Sequence, residues 1–337
     1  MLEPGELARA VRRRWYSCVW VVLACTGLLA GSVSAESSRA RLVTIGSGSV
    51  GGVYFPAAGV LCRLLNQERL RHGLRCAVEV SDGSVDNTRD LLGGRVDLGI
   101  VQTDVQHDAL MGIGRFEDTT DGAALRALFS LHAEPVTIVS RLDAAVMGFT
   151  DLVGKRVNVG EAGSGTFATT SMLMRAFGMS GSDLARQYNL STAEAALALC
   201  ENHIDAFVFV VGHPNATIQE ASESCAVHFV SITGAPVDDL LRKHKFFSRA
   251  MIAPGTYVGQ EEKIMSLGVR ASVLATAALD DSIAYEMTRA VFSNAAALRE
   301  LHPAFASLTP QQMIDGNTAP WHPGAARYLR EIGLLTE

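Results

Sequence analysis

The stretch 41-RLVTIGSGSVGGVYFPAAG-59 decides the fold, because a β-like apolar run at 42–45 leads directly into a loop of glycine and serine. Gly46, Gly48 and Gly51 have the spacing G-x-G-x-x-G, and a helical pattern follows at 54–66. Glycine permits the sharp turn and the close backbone approach that join a strand to a helix. The same spacing occurs in dinucleotide-binding loops, so the surrounding sequence has to decide between the two interpretations.

The surroundings argue against a dinucleotide. Such a site needs an acidic residue about 20 residues beyond the glycines, at the end of the second strand. The first candidate, Asp82, stands 34 residues beyond Gly48 and belongs to a second Gly/Ser loop. The motifs G-x-S-x-G and H-E-x-x-H are both absent from the sequence. We therefore predict no cofactor, no metal and no catalytic residue, and expect a binding protein rather than an enzyme.

Short β-like runs alternate with helical segments along the chain, which predicts an α/β fold with parallel-core sheets flanked by helices. The predicted strands are 42–45, 75–80, 98–101, 136–139, 156–159, 206–211 and 227–232, and helical segments include 54–66, 85–92, 164–177, 193–200 and 283–301.

The first 35 residues have a different composition. Four arginines precede an apolar run at 15–31, and the small residues Val33, Ser34 and Ala35 follow. This order is typical of a secretory signal peptide, so we predict cleavage after Ala35 and export to the periplasm. The run is also close to the length of a membrane anchor, which remains the alternative. The net charge of −6 and the lack of a long basic run argue against a nucleic-acid partner.

Four cysteines lie beyond the predicted signal peptide, and an even number in an oxidising compartment predicts disulfides. Of the three connectivities we favour Cys62 with Cys76 and Cys200 with Cys225, since each bond would join a helix to the strand that follows. The alternative is a zinc site that uses Cys200, Cys225 and the histidines three residues beyond each. Those histidines stand in a turn and inside an apolar run, which is a poor arrangement for convergent ligands.

Hydroxyl, amide and glycine residues follow several predicted strands, where ligands bind in open α/β sheets. Free backbone N–H groups at helix starts make such loops suitable for an anion. We expect Tyr54 to pack over the ligand, and we leave open whether Arg89 and Glu134 contact it. The predicted ligand-binding residues are Ser47, Gly48, Ser49, Tyr54, Ser84, Asn87, Gln102, Ser164, Gly165 and Thr166.

Six segments together resemble the TAXI family, the solute-binding proteins of TRAP transporters. They are LVTIGSGSVGGVYFPAAGVLCRLLN, VEVSDGSVDNTRDLLGGRVDLGIVQTDV, EPVTIVSR, FTDLVGKRVNVGEAGSGTFATT, IDAFVFVVGHPN and HPGAARYLREIG, and they run in family order from about residue 42 to 333. The sequence VSDGS departs from the glutamate-serine-threonine that often precedes the Gly-Ser of the family.

The resemblance implies a two-lobed periplasmic binding protein of type II with a cleft between its lobes. Its first lobe would comprise 41–132 plus 248–337 and its second lobe 133–247. The resemblance further implies a monomeric receptor for a small carboxylate, such as glutamate or 2-oxoglutarate, that delivers it to the membrane subunits of a sodium-coupled TRAP transporter. The alternatives are a receptor of an ABC transporter and an exported enzyme that uses the same cleft.

Overall fold

A computed structural model describes residues 40–119 and 121–336 of the chain. The predicted signal peptide, residues 1–35, lies outside the described residues. Within the described ranges, no helix combines the length and the apolar character that crossing a membrane requires.

Strands and helices alternate through most of the described chain. The strands are β1 (Arg41–Gly46), β2 (Leu74–Glu79), β3 (Leu98–Gln102), β4 (Leu125–Arg141), β5 (Arg156–Asn158), β6 (Arg186–Tyr188), β7 (Ala206–Val210), β8 (Val227–Val230), β9 (Ser248–Ile252) and β10 (Ile264–Thr276). The helices are α1 (Tyr54–Gln67), α2 (Arg69–His72), α3 (Ser84–Leu92), α4 (Thr103–Met111), α5 (Gly165–Ala176), α6 (Thr192–Cys200), α7 (Ala216–Ser224), α8 (Ala235–Lys243), α9 (Asp281–Ser293), α10 (Ala295–Leu301) and α11 (Pro323–Glu331).

The strands form one mixed sheet with the order β2-β1-β3-β10-β4-β7-β5-β6, to which β8 adds on β4 and β9 on β10. In the first half of the sheet β1 pairs in parallel with β2 and β3, and in the second half β5 pairs in parallel with β6 and β7. The long strands β4 and β10 are antiparallel to each other and connect the two halves. The predicted α/β class with parallel-core sheets is confirmed.

The connection between β4 and β10 depends on a glycine. Gly268 pairs with Pro135, and a Cβ atom on Gly268 would lie 2.7 Å from the carbonyl oxygen of Glu134. Any side chain would push the two strands apart at this point, so glycine lets them approach each other. Glu134 is thereby fixed in the middle of the sheet, where both halves meet.

Separate hydrophobic clusters support the two halves. One cluster packs α1, α9 and α11 against β1 and β3, and other clusters lie around β5 and β7. Ile252, Tyr257 and Ile264 join a cluster that contains Phe207 and Phe229 of the second half. The predicted lobe boundaries remain a prediction. Because residues 252, 257 and 264 pack with the second half, these contacts favour a boundary later than the predicted residue 248, with the chain returning to the first half within β10.

Two predicted elements differ from the observed ones. The predicted helix at 283–301 is divided at Asn294 into α9 and α10, and the Asn294 side-chain amide donates to the carbonyl of Ala290 at 2.8 Å. Asparagine competes for backbone groups in this way, which explains why it ends a helix. The predicted strand at 136–139 is the end of the much longer β4.

Two disulfides join helices to strands or to strand starts. The bond Cys62–Cys76 links α1 to β2, and Cys200–Cys225 links the end of α6 to the residue that follows α7. Both pairs are those that the sequence predicts. The zinc alternative lacks its thiolate ligands in this structure, because both cysteines are bonded to each other.

Candidate functional site

A cleft opens where the carboxyl ends of β1, β3 and β5 meet, and its walls come from both halves of the sheet. The cleft and the open solvent at its mouth together comprise about 600 Å³ of empty space. The first half contributes residues after β1 and β2 and at the end of β3, and the second half contributes residues after β5 and along β7. This is the position at which open α/β sheets bind ligands.

Most of the predicted ligand-binding residues come together in this cleft. Their binding role remains a prediction, but the structure gives them a common wall although they are far apart in sequence. The predicted residues that line the cleft are Gly48, Ser49, Tyr54, Ser84, Gln102, Ser164, Gly165 and Thr166.

Ser47 and Asn87 do not line the cleft. Both side chains are fully buried, and the Ser47 hydroxyl donates to the carbonyl of Glu79 at 2.7 Å. The Asn87 amide donates to the carbonyl of Ile100 at 2.8 Å, and its oxygen accepts from the Ser81 hydroxyl at 2.7 Å. These buried hydrogen bonds hold the loops in place, and neither side chain lines the cleft.

The loop after β5 is built around the start of α5. The Ser164 hydroxyl caps the helix by accepting from the amide of Phe167 at 3.0 Å, and the Thr166 hydroxyl accepts from the amide of Val210 at 3.1 Å. Gly160 has a φ of +94°, a conformation that favours glycine. The positive end of the helix dipole therefore faces the cleft.

The floor of the cleft contains a buried polar group. The Tyr54 hydroxyl donates to Oε2 of Glu134 at 2.8 Å, and both side chains are nearly inaccessible to solvent. Burial and the neighbouring Glu134 raise the pKa of Tyr54 well above its usual value, so the phenol keeps its proton. Nε2 of His132 lies 3.3 Å from the other oxygen of Glu134.

Gln102 extends from the end of β3 to the opposite wall. Its side-chain oxygen accepts from the Thr169 hydroxyl at 3.1 Å, and only 2% of Gln102 is exposed. Within the described residues its side-chain nitrogen has no hydrogen-bond acceptor. A Cβ atom on Gly165 would lie 2.2 Å from the Gln102 side-chain oxygen, so glycine is needed where the two walls touch.

Three carboxylates, those of Asp82, Glu134 and Glu161, line the cleft, whereas no lysine or arginine does so among the described residues. Burial is the main cause that raises the pKa of Glu161 to about 7, and the negative charges of Asp82 and Glu194 add to it. Asp104 lies one layer deeper, fully buried, and burial raises its pKa to about 7 as well. The sequence prediction did not include Asp82 and Glu161, although each stands within a few residues of a strand end.

The two halves of the sheet touch across the cleft. The Arg115 guanidinium donates to the carbonyl of Ala162 at 2.8 Å and lies over the ring of Phe167, 4.9 Å from its centre. On the same side the amide of Val85 donates to the carbonyl of Gly163 at 3.1 Å. Arg89 does not line the cleft and instead donates to the carbonyl of Arg115. These contacts describe a closed cleft.

Metal ligation finds no support within the ranges that the structure describes, where no group of three or more histidine, cysteine, aspartate or glutamate side chains converges.

A model of the NMT1-like family matches residues 45–333. The periplasmic aliphatic sulphonate binding protein SsuA of Escherichia coli is 15% identical over 86% of this chain and 83% of its own, with a TM-score of 0.44. A putative L-cystine ABC transporter protein of Listeria monocytogenes is 12% identical over 77% and 94%, with a TM-score of 0.48. An ancestral arginine-binding protein bound to arginine is 12% identical over 79% and 99%, with a TM-score of 0.49.

The strand order and the two parallel cores are those of an α/β fold with parallel-core sheets flanked by helices, as the sequence predicts.

Proposed function

The chain belongs to the NMT1-like family, and from the geometry of its cleft we propose that it is an exported solute-binding protein that serves a membrane transporter. One observation carries the proposal: both halves of the sheet contribute hydroxyl, amide and helix-start donors to one cleft, and they touch each other across it. Two lobes that close around a small molecule are the working parts of a binding protein.

The finer proposal is a TAXI-type receptor of a TRAP transporter for a small carboxylate. The start of α5, with the backbone of Gly165 and Thr166, supplies donors for a carboxylate group, and the amide nitrogen of Gln102, which has no acceptor among the described residues, reaches the same part of the cleft from the opposite wall. The rival is a receptor of an ABC transporter. Uptake by the partner permease in proteoliposomes separates them, because a TRAP system needs a sodium gradient and an ABC system needs ATP.

The central experiment identifies the bound molecule. Native mass spectrometry of the protein purified from its periplasm is expected to show a small molecule that denaturation releases unchanged, and titration calorimetry with that molecule is expected to give one site per chain. Conversion of the molecule during incubation would support the exported enzyme instead. A chain that carries nothing and binds none of a broad panel of solutes would contradict the proposal.

Export is part of the same proposal. The two disulfides fit an oxidising compartment, in which such bonds persist. Terminal sequencing of the mature protein is expected to find Glu36 first, since the predicted cleavage follows Ala35. An uncleaved chain held in the membrane fraction would favour the anchor.

A further inference from the structure

We propose that the ligand carries a positively charged group, an ammonium or a guanidinium, that lies between the carboxylates of Asp82 and Glu161. The inference rests on the proposed solute-binding function and deepens it by naming the charge of the ligand. It also limits the predicted carboxylates to those with a basic nitrogen, which excludes 2-oxoglutarate.

The charges of the cleft are the first step. Among the described residues the lining carries the carboxylates of Asp82, Glu134 and Glu161 but no lysine or arginine. A dicarboxylate would bring two further negative charges into this site. Backbone N–H groups and a helix dipole offer an anion partial charges only, about half an elementary charge for the helix end. The balance of charge therefore favours a ligand with a cation.

The positions of Asp82 and Glu161 are the second step. Asp82 belongs to the first half of the sheet and Glu161 to the second, so closing the cleft brings two negative charges together. Asp86 and Glu194 add to the same negative potential at Glu161. Like charges at close range repel each other by about 1 kcal/mol in water and by more in a partly desolvated cleft. A cation between them turns this repulsion into attraction.

The partners of each carboxylate are the third step. Glu134 already accepts from Tyr54 and lies beside His132. In the described part of the chain, no lysine, arginine or histidine nitrogen lies within 4.0 Å of a carboxylate oxygen of Asp82 or Glu161. Asp82 is exposed at the cleft and Glu161 is half-buried beside the Ser49 hydroxyl, and the protein gives neither carboxylate a basic counter-charge, which a cationic ligand would supply.

Gln102 supplies an independent observation. Its side chain is 98% buried in the wall of the cleft, yet its amide nitrogen has no acceptor among the described residues. This nitrogen is open to the cleft rather than sealed in the core, so it is available to donate to an acceptor oxygen of the ligand. A ligand with both an acceptor group and a cation satisfies Gln102 and the two carboxylates together.

The test compares pairs of probes that differ only in the charged nitrogen. Calorimetry is run with L-glutamate against 2-oxoglutarate and with L-alanine against pyruvate, and agmatine serves as a cation without a carboxylate. We expect the amine of a pair to bind at least tenfold more tightly than its oxo acid, and we expect D82N and E161Q each to remove most of this advantage. The matched control E201Q, half exposed and outside the cleft, is expected to retain it.

The outcomes separate the two proposals. An oxo acid that binds as tightly as its amine, or an advantage that persists in both D82N and E161Q while these variants melt like the parent, overturns the inference. A copurified molecule without a basic nitrogen also overturns it and leaves the solute-binding function standing. If no probe binds, the copurified molecule decides the inference by whether it carries a basic nitrogen. If no molecule copurifies either, the result contradicts the proposed solute-binding function itself.

Discussion

Two glycine loops form opposite walls of the cleft, and they use the same residue types differently. In the first glycine loop, residues 46–52, the hydroxyl of Ser47 binds the carbonyl of Glu79 inside the protein, and no side chain caps the helix that follows. In the second glycine loop, residues 160–166, Ser164 caps its helix, and both Glu161 and Thr166 reach the cleft. Glycine and serine at this spacing predict the turn, while burial decides which side chain faces the cleft.

The largest effect is expected for stability near the first glycine loop. The helix after this loop is tied by Cys62–Cys76, a bond across 14 positions, whereas the helix after the second loop contains no cysteine. The double variant Cys62→Ala/Cys76→Ala is expected to lose about 3 kcal/mol of unfolding free energy in urea, from the entropy of loop closure. Ligand affinity of the folded variant is expected to stay within about twofold, and a large loss of affinity would mean that the bond shapes the cleft.

The next largest effect is a loss of ligand affinity that is expected on substituting the glycine of the second loop but not that of the first. A Cβ atom at position 165 would lie 2.2 Å from the buried side chain of Gln102, whereas one at position 48 would lie 3.2 Å from Tyr54. The added methyl group would overpack the contact between the two walls at a cost of about 2 kcal/mol, and because this cost falls on the closed cleft, Gly165→Ala is expected to weaken binding of the copurified ligand about 30-fold. Gly48→Ala is the matched control, with a change below about threefold in calorimetry. Equal losses in both variants would remove the distinction between the loops.

Removing the Thr166 hydroxyl of the second glycine loop is expected to have a smaller effect on ligand affinity. Thr166→Ala is expected to weaken binding about tenfold, since a hydrogen bond to a charged ligand group contributes about 1.5 kcal/mol or more. Thr166→Ser is expected to restore most of this affinity, because it keeps the hydroxyl that also accepts from Val210. Ser49→Ala in the first loop, whose hydroxyl lines the cleft 3.4 Å from that of Thr192, is the comparison, with a smaller loss of affinity than Thr166→Ala. Parent-like binding by Thr166→Ala would place the ligand elsewhere.

Glu161 gives the second glycine loop a pH response that the first loop, without a carboxylate, lacks. The raised pKa of about 7 means that the folded protein holds this proton after the unfolded chain has lost it. Stability of the ligand-free protein therefore falls as the pH rises from about 4.3 to 7. Because the side chain is only half buried, we expect about 1 kcal/mol, measured as the difference from Glu161→Gln in urea titrations at several pH values. A difference that does not change with pH would contradict the raised pKa.

The smallest effect concerns the buried serine of the first loop. Ser47→Ala is expected to cost about 0.5 kcal/mol of unfolding free energy, because the carbonyl of Glu79 also accepts from the amide of residue 47 and keeps that partner. Affinity is expected to remain unchanged in calorimetry. A tenfold loss of affinity would return Ser47 to the set of ligand contacts.

Local patterns predicted the strand and helix at each glycine loop correctly, since an apolar run, a turn and a helix start are adjacent in sequence. The prediction contains no strand at Ser248–Ile252 or Ile264–Thr276, and it captures only the end of Leu125–Arg141. Pro135 stands within that last strand, and proline normally argues against an interior strand. The pairing of Pro135 with Gly268 is a contact across more than one hundred residues, which local patterns do not encode.

The candidate site was predictable to a similar extent. Polar residues at strand ends correctly predicted most of the cleft wall. The rule that ligands bind beyond the carboxyl ends of strands needs only the order of the elements along the chain. The exclusion of Ser47 and Asn87 depends on their buried hydrogen bonds, and the role of Asp82 and Glu161 depends on the approach of two distant loops. Burial and the approach of distant loops depend on tertiary contacts, which local sequence patterns do not encode.

The two long strands, β4 and β10, also determine how this protein can be divided. β10 pairs with β3 of the first half, β4 pairs with β7 of the second half, and the two long strands pair with each other, so neither half is a self-contained module that can be excised or exchanged. A chain cut before Ile264 would leave β3 and β4 with unpaired backbone groups in the middle of the sheet. An exchange of parts with another protein would therefore have to transfer β4 and β10 together or be limited to the loops around the cleft.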